Sequence, residues 1–157
     1  MIAVAFLVVL ALASLLLAWI DLRRGIIPDW LNLMIATLGL ARIAILDDWP
    51  LALGAAAEGI LTGAIVWLLR WLYFRLRQRQ GLGLGDVKLL AAAAIWVGIA
   101  GIPMLLLVAS LAALAAAGIL HLTGEKMTRQ TALPFGPFLA LGLLTTLALQ
   151  QTGWIIY

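Results

Sequence analysis

Cysteine is absent from the 157-residue chain. That one absence excludes disulfides, thiolate zinc sites, iron–sulfur clusters and cysteine nucleophiles. Histidine occurs once, at His121, so a multi-histidine metal site or a serine–histidine triad has almost nothing to be built from. No metal and no cofactor is expected. Charge is scarce as well, 11% of residues against roughly a quarter in soluble domains. The acidic side chains are Asp21, Asp29, Asp47, Asp48, Glu58, Asp86 and Glu125, and any proton chemistry must draw on these.

What the chain has in abundance is apolar sequence: 66% of its residues are hydrophobic and its mean hydropathy is +1.16. Apolar runs fall at 1–20, 30–46, 52–74, 87–101, 103–122 and 135–156. Six membrane crossings of about 20 residues use about 120 positions, which leaves no room for a soluble domain. The expected architecture is all-α and polytopic, about six transmembrane helices in a single domain over residues 1–157. The first run lacks a basic start and a small-residue cleavage site, so it reads as a retained helix. The fourth and fifth runs meet at Gly98-Ile99-Ala100-Gly101-Ile102-Pro103, where glycine loosens a helix and proline interrupts it. A hairpin is expected there, because about 35 apolar residues exceed one crossing.

The net charge of +3 is placed by topology. Arg23 and Arg24 lie in the first loop, Arg75, Arg77, Arg79 and Lys88 around the third, and Lys126 and Arg129 in the fifth, whereas the second loop holds Asp47 and Asp48. Odd loops are therefore expected to be cytoplasmic and both termini outside. The basic balance reflects this rule and not a nucleic-acid partner. Arg42 and Arg70, near the ends of apolar runs, are expected to snorkel to the interface, and Trp19, Trp30, Trp49 and Trp154 to sit in interfacial belts.

Carboxylates at a membrane edge are costly and mark functional candidates. Asp21 directly follows the first apolar run, and Asp86 opens the fourth within Gly81-Leu82-Gly83-Leu84-Gly85-Asp86-Val87-Lys88. The loop pattern puts both at the same membrane face. Two carboxylates sharing a proton can hydrolyse a peptide without metal, cysteine or histidine. Helix dipoles suggest that Asp86, at a helix start, is the charged partner and Asp21, at a helix end, the protonated one. Gly81, Gly83 and Gly85 leave room for a substrate backbone. Lys88 reads as a positive-inside residue that could also lie near Asp86. Asp29, after Pro28, reads as an ordinary helix-start carboxylate. Glu58, Asp47 and Asp48 fall on the opposite face, and His121 reads as interfacial. A proton-coupled transporter or channel subunit using Asp21 and Asp86 as a relay is the alternative from another class. A structural membrane subunit would give no reason for the two aspartates.

The segment Asp21-Leu22-Arg23-Arg24-Gly25-Ile26-Ile27-Pro28-Asp29-Trp30-Leu31-Asn32 resembles the first aspartate motif of type IV prepilin peptidases, and Gly83-Leu84-Gly85-Asp86-Val87-Lys88-Leu89-Leu90 resembles their GxGD motif. Leu133-Pro134-Phe135-Gly136-Pro137-Phe138-Leu139-Ala140-Leu141-Gly142 is similar to the proline–glycine motif that opens the last helix of bacterial members. The resemblance implies an intramembrane aspartyl endopeptidase of the bacterial inner membrane with Asp21 and Asp86 as its dyad. Pro28, Gly83, Gly85, Lys88, Pro134, Gly136 and Pro137 would be supporting residues. It implies type IV prepilins or type II secretion pseudopilins as substrates, each with a short basic leader, a glycine and an apolar helix, cut after the glycine at the cytoplasmic face amid membrane lipids. Longer members carry a cysteine-rich zinc-binding segment associated with N-methylation. A chain without cysteine is expected to act as a peptidase alone, in a short form of the family.

Overall fold

A computed structural model describes residues 1–78, 82–122 and 134–153. These contain five helices and no strand: α1 (Ile2–Arg24), α2 (Asp29–Leu46), α3 (Trp49–Arg77), α4 (Leu84–Leu122) and α5 (Gly136–Gln151). The first four are long and apolar enough to cross a membrane. Arg79, Gly81, Glu125, Lys126, Arg129, Leu133 and Trp154 lie outside the described residues.

Local sequence explains where α1 stops and α2 starts. Gly25 adopts a left-handed φ of 65° and its N–H donates to the Asp21 carbonyl at 2.7 Å, a helix stop that glycine makes without steric penalty. Pro28 at φ −66° and ψ 135° then leads into α2, because its fixed φ suits a helix entrance while its missing N–H costs nothing there. The chain thus turns immediately after Asp21.

As a straight rod α4, with 39 residues, would run about 58 Å, roughly twice the hydrocarbon core. It is broken at Gly98, where φ is 71° and ψ 163°. The contacts of α5 give the direction on either side. Its start bonds Asp21 through the Gly136 N–H, its end reaches Val97 through Gln150, and its midpoint, Gly142, abuts the Leu105 carbonyl. Beyond Gly98 the chain therefore returns toward Asp21, and residues 84–97 and 99–122 form an antiparallel pair. Six helical segments result, in line with the six apolar runs. The break is narrower than the sequence suggests, because Gly98 alone makes it. Pro103 lies inside the second half, in its opening turns, where a missing N–H removes a single bond.

Two side chains seal that break. Gln150 Nε2 donates to the Val97 carbonyl at 2.8 Å, and Glu58 Oε2 accepts from the Ile99 N–H at 2.8 Å, so the two halves are capped from α5 and α3. Glu58→Ala should cost about 1 kcal/mol, as loss of a helix cap does, and lower the thermal unfolding midpoint in detergent. Glu58→Gln, which keeps an acceptor, should retain most of the stability. Equal midpoints for the two variants would show that the cap contributes nothing.

Close packing depends on small residues. A Cβ on Gly59 would lie 2.9 Å from the Ala91 carbonyl oxygen, and one on Gly63 3.1 Å from the Ala91 Cβ. This Gly-x-x-x-Gly pair on α3 lets its backbone approach α4. Leu10 and Leu17 of α1, Leu31 and Ile35 of α2, Leu90 and Leu105 of α4 and Leu139 and Leu143 of α5 complete the core. Trp96 donates from Nε1 to the Ile35 carbonyl at 2.9 Å and fills the space left by Gly39. The Arg42 guanidinium stacks 5.8 Å from the Trp96 ring centre, a cation–π contact that offsets its partial burial. Exposed Trp19, Trp30 and Trp49 sit near helix ends.

One end of the bundle gathers the end of α1 and the starts of α2, α4 and α5, tied by Asp21–Gly136, Asp29–Lys88 and Asn32–Gly85 bonds. Arg23, Arg24, Arg75 and Arg77 lie in the last turns of α1 and α3 at this end. Asp47, Asp48, Glu58 and Gly98 occupy the other end.

Candidate active site

Asp21 projects from the last full turn of α1 and is only 5% exposed. A bare carboxylate there would lack water, and the chain supplies a donor: the Gly136 N–H, at the start of α5, bonds Asp21 Oδ2 at 2.9 Å. The fit requires glycine. A Cβ at Gly136 would lie 2.6 Å from Asp21 Oδ2 and 3.0 Å from its carboxyl carbon. Pro137 follows in the first turn of α5, where its fixed φ suits a helix start.

Asp86 stands in the first turn of α4, and its Oδ2 accepts from the Gly83 N–H at 3.3 Å. This is the reciprocal half of a capping box, a first-turn carboxylate reaching back to an orphan N–H. Gly85 has no space for a side chain, because its Cβ would lie 2.9 Å from that of Ile27. The α4 entrance therefore rests directly on the link between α1 and α2.

Asp21 and Asp86, 65 residues apart in sequence, line one cavity of about 720 Å³ together with Gly25, Ile26, Ile27, Leu82, Gly83, Leu84, Gly85, Pro134 and Phe135. Both carboxylates accept from an N–H at a helix entrance. For Asp21 that N–H comes from another helix, because the start of α5 reaches the end of α1, an approach with no trace in local sequence.

The supporting residues separate into two groups. Gly83, Gly85 and Pro134 line the cavity, and Gly136 touches Asp21. Lys88 does not turn toward Asp86. Its Nζ contacts both carboxylate oxygens of Asp29 at 2.7 Å. Residues two apart on a helix point about 200° away from each other, so one face of α4 cannot carry both. Asp29 is accordingly an ion-pair partner as well as a helix-start residue, and with both side chains exposed the pair contributes at most about 1 kcal/mol. Pro28 lies beside a neighbouring hollow with Trp19, Arg23, Arg24 and Trp30. His121 is exposed in the last turn of α4. Among the described residues no three carboxylate or imidazole side chains converge on a metal-sized space.

Two residues at the site escaped the sequence reading. Asn32, buried in α2, donates from Nδ2 to the Gly85 carbonyl at 3.3 Å. Arg70, read as snorkelling, is half-buried and donates from Nε to the Leu82 carbonyl at 2.8 Å. Asn32 at the end of the first aspartate motif and Arg70 within an apolar run were the available signals, but neither names a partner.

Comparison with known proteins gives the family. The type IV leader peptidase family matches residues 8–118. A prepilin leader peptidase/N-methyltransferase of Burkholderia pseudomallei strain 1026b is 38% identical over 141 residues, covering 88% of this chain and 44% of the relative. The protein of the same name from Xanthomonas campestris pv. campestris is 33% identical over 151 residues, 96% of this chain and 48% of the relative. That from Escherichia coli K12 is 37% identical over 146 residues, 91% and 61% respectively. The chain thus spans about half the length of these curated relatives. No solved structure matches. The matched region holds both aspartates, most of the helices that carry them and the turn between α1 and α2, and the chain belongs to the type IV leader peptidase family.

Proposed function

We propose that this chain is an intramembrane aspartyl endopeptidase that removes the basic leader of type IV prepilins or type II secretion pseudopilins. The observation that carries the reading is the convergence of Asp21 and Asp86 on one cavity, at the bundle end where the arginines of α1 and α3 collect. By the positive-inside rule that end faces the cytoplasm of an inner membrane, and six segments return both termini to the outside.

The chemistry uses the pair as one unit carrying one proton. The ionised carboxylate takes a proton from water, whose oxygen attacks the scissile carbonyl carbon, while the protonated carboxyl donates to the carbonyl oxygen. When the tetrahedral intermediate collapses, one of its hydroxyls returns a proton to the ionised carboxylate, the C–N bond breaks and the departing amine takes the proton held by the other carboxyl, so that the dyad again carries one proton. The Gly136 and Gly83 N–H groups hold one oxygen of each carboxylate, leaving the other free for this exchange. Cavity walls of Gly25, Gly83 and Gly85 beside Ile26, Ile27 and Phe135 suit a narrow, weakly polar backbone segment such as a glycine followed by an apolar helix.

Co-expression with tagged prepilins and pseudopilins tests the reading. Mass spectrometry of the product should find cleavage after the leader glycine and, with labelled S-adenosylmethionine present, an unmethylated amine at the new N-terminus. If no prepilin or pseudopilin is cleaved, the peptidase reading fails. In that case proton flux through reconstituted protein would support the relay.

A further inference from the structure

The turn 82–86 delivers Asp86 to the cavity, and side chains of two other helices hold it. Arg70 of α3 bonds the Leu82 carbonyl at 2.8 Å and Asn32 of α2 bonds the Gly85 carbonyl at 3.3 Å. The Leu82 carbonyl precedes the helix, where an outside donor must satisfy it. The partners chosen are expensive. A half-buried guanidinium beside Trp67, Trp71 and Phe74 gives up part of its hydration, a cost its hydrogen bonds must offset. Asn32 is 5% exposed with Oδ1 lacking any hydrogen-bond partner, so its amide is only half satisfied. A leucine of similar shape would avoid that penalty. Two side chains that burden the fold yet converge on one turn point to a role in placing what the turn carries.

We infer that Arg70 and Asn32 are positioning residues that anchor the turn 82–86 and thereby fix Asp86 opposite Asp21. The inference rests on the aspartyl peptidase reading for its catalytic consequence, while the anchoring itself is a property of the turn. Misplacing a reacting group by an ångström can cost about a hundredfold in rate. Substrate affinity, which draws on the apolar helix beyond the cleaved bond, should change little.

The test combines hydrogen-exchange mass spectrometry with cleavage kinetics on the purified full chain, using Asn32→Leu, Arg70→Leu and Arg70→Lys. The expected result is exchange about tenfold faster in peptides covering 84–90, with the rest of the chain unchanged. Asn32→Leu and Arg70→Leu should lower kcat by about 10- to 100-fold with KM within about twofold. Arg70→Lys, which retains a donor, should recover part of the rate and of the protection. The thermal midpoint of Asn32→Leu should equal or exceed that of the unaltered chain. Unchanged exchange at 84–90 in both leucine variants overturns the inference, and so does faster exchange spread over all helices with a fallen midpoint. Localised exchange in a chain that cleaves no prepilin would support the anchoring while removing the peptidase reading.

Discussion

Asp21→Asn and Asp86→Asn should each lower prepilin cleavage by about a thousandfold or more, the range expected when an acid–base group is lost, with membrane levels unchanged. Asparagine is nearly isosteric, and its amide oxygen can still accept from the Gly136 or Gly83 N–H that holds each carboxylate. The substitution therefore removes proton transfer while sparing the backbone bonds that fasten α5 to α1 and cap α4. Because the two groups act as one unit, the double variant should be little worse than either single one. Asp47→Asn, at the opposite end of the bundle, should cleave normally and serves as the control. Time courses of leader removal at matched protein levels decide the matter: appreciable turnover by either dyad variant would mean that one carboxylate suffices, which a shared-proton mechanism forbids.

The bundle was legible in the sequence where a feature is periodic or local. Apolar runs give the helices, and Gly25 and Pro28 mark a stop and a start within four residues of chain. The paired motifs single out Asp21 and Asp86. What could not be read were long-range bonds from side chains to backbone. Glu58 to Ile99, Gln150 to Val97, Asn32 to Gly85 and Arg70 to Leu82 each join residues on different elements with no repeating pattern to betray them. Distance from a helix end suggests snorkelling for Arg42 and Arg70 but does not name their partners, Trp96 and the Leu82 carbonyl. The dipole argument weighed each aspartate against its own helix, whereas Asp21 is also bonded by the start of another. Lys88 is a different case: the angular step along α4 already separates it from Asp86, so its pairing elsewhere could have been anticipated.

Two glycines of α5 provide the sharpest separation of catalysis from folding. A Cβ at Gly136 meets Asp21 Oδ2 at 2.6 Å, whereas one at Gly142 meets the Leu105 carbonyl oxygen at 2.5 Å. A carboxylate on a side chain can rotate away, but a helix backbone can only move as a unit. Gly136→Ala should therefore still fold, giving up only about the 1 kcal/mol of its bond to Asp21, while cleaving at least about a hundredfold more slowly, because Asp21 is displaced from Asp86. Gly142→Ala should be destabilised by about 1–3 kcal/mol, the usual cost of overpacking, yet retain cleavage per folded molecule, since nothing near the dyad has changed. Unfolding midpoints and kcat measured on the same purified samples should separate along these two axes. If Gly136→Ala instead loses far more stability together with its activity, α5 is what yields, and the bond between Gly136 and Asp21 is a structural clamp whose loss loosens the helix entrance before it reaches the chemistry.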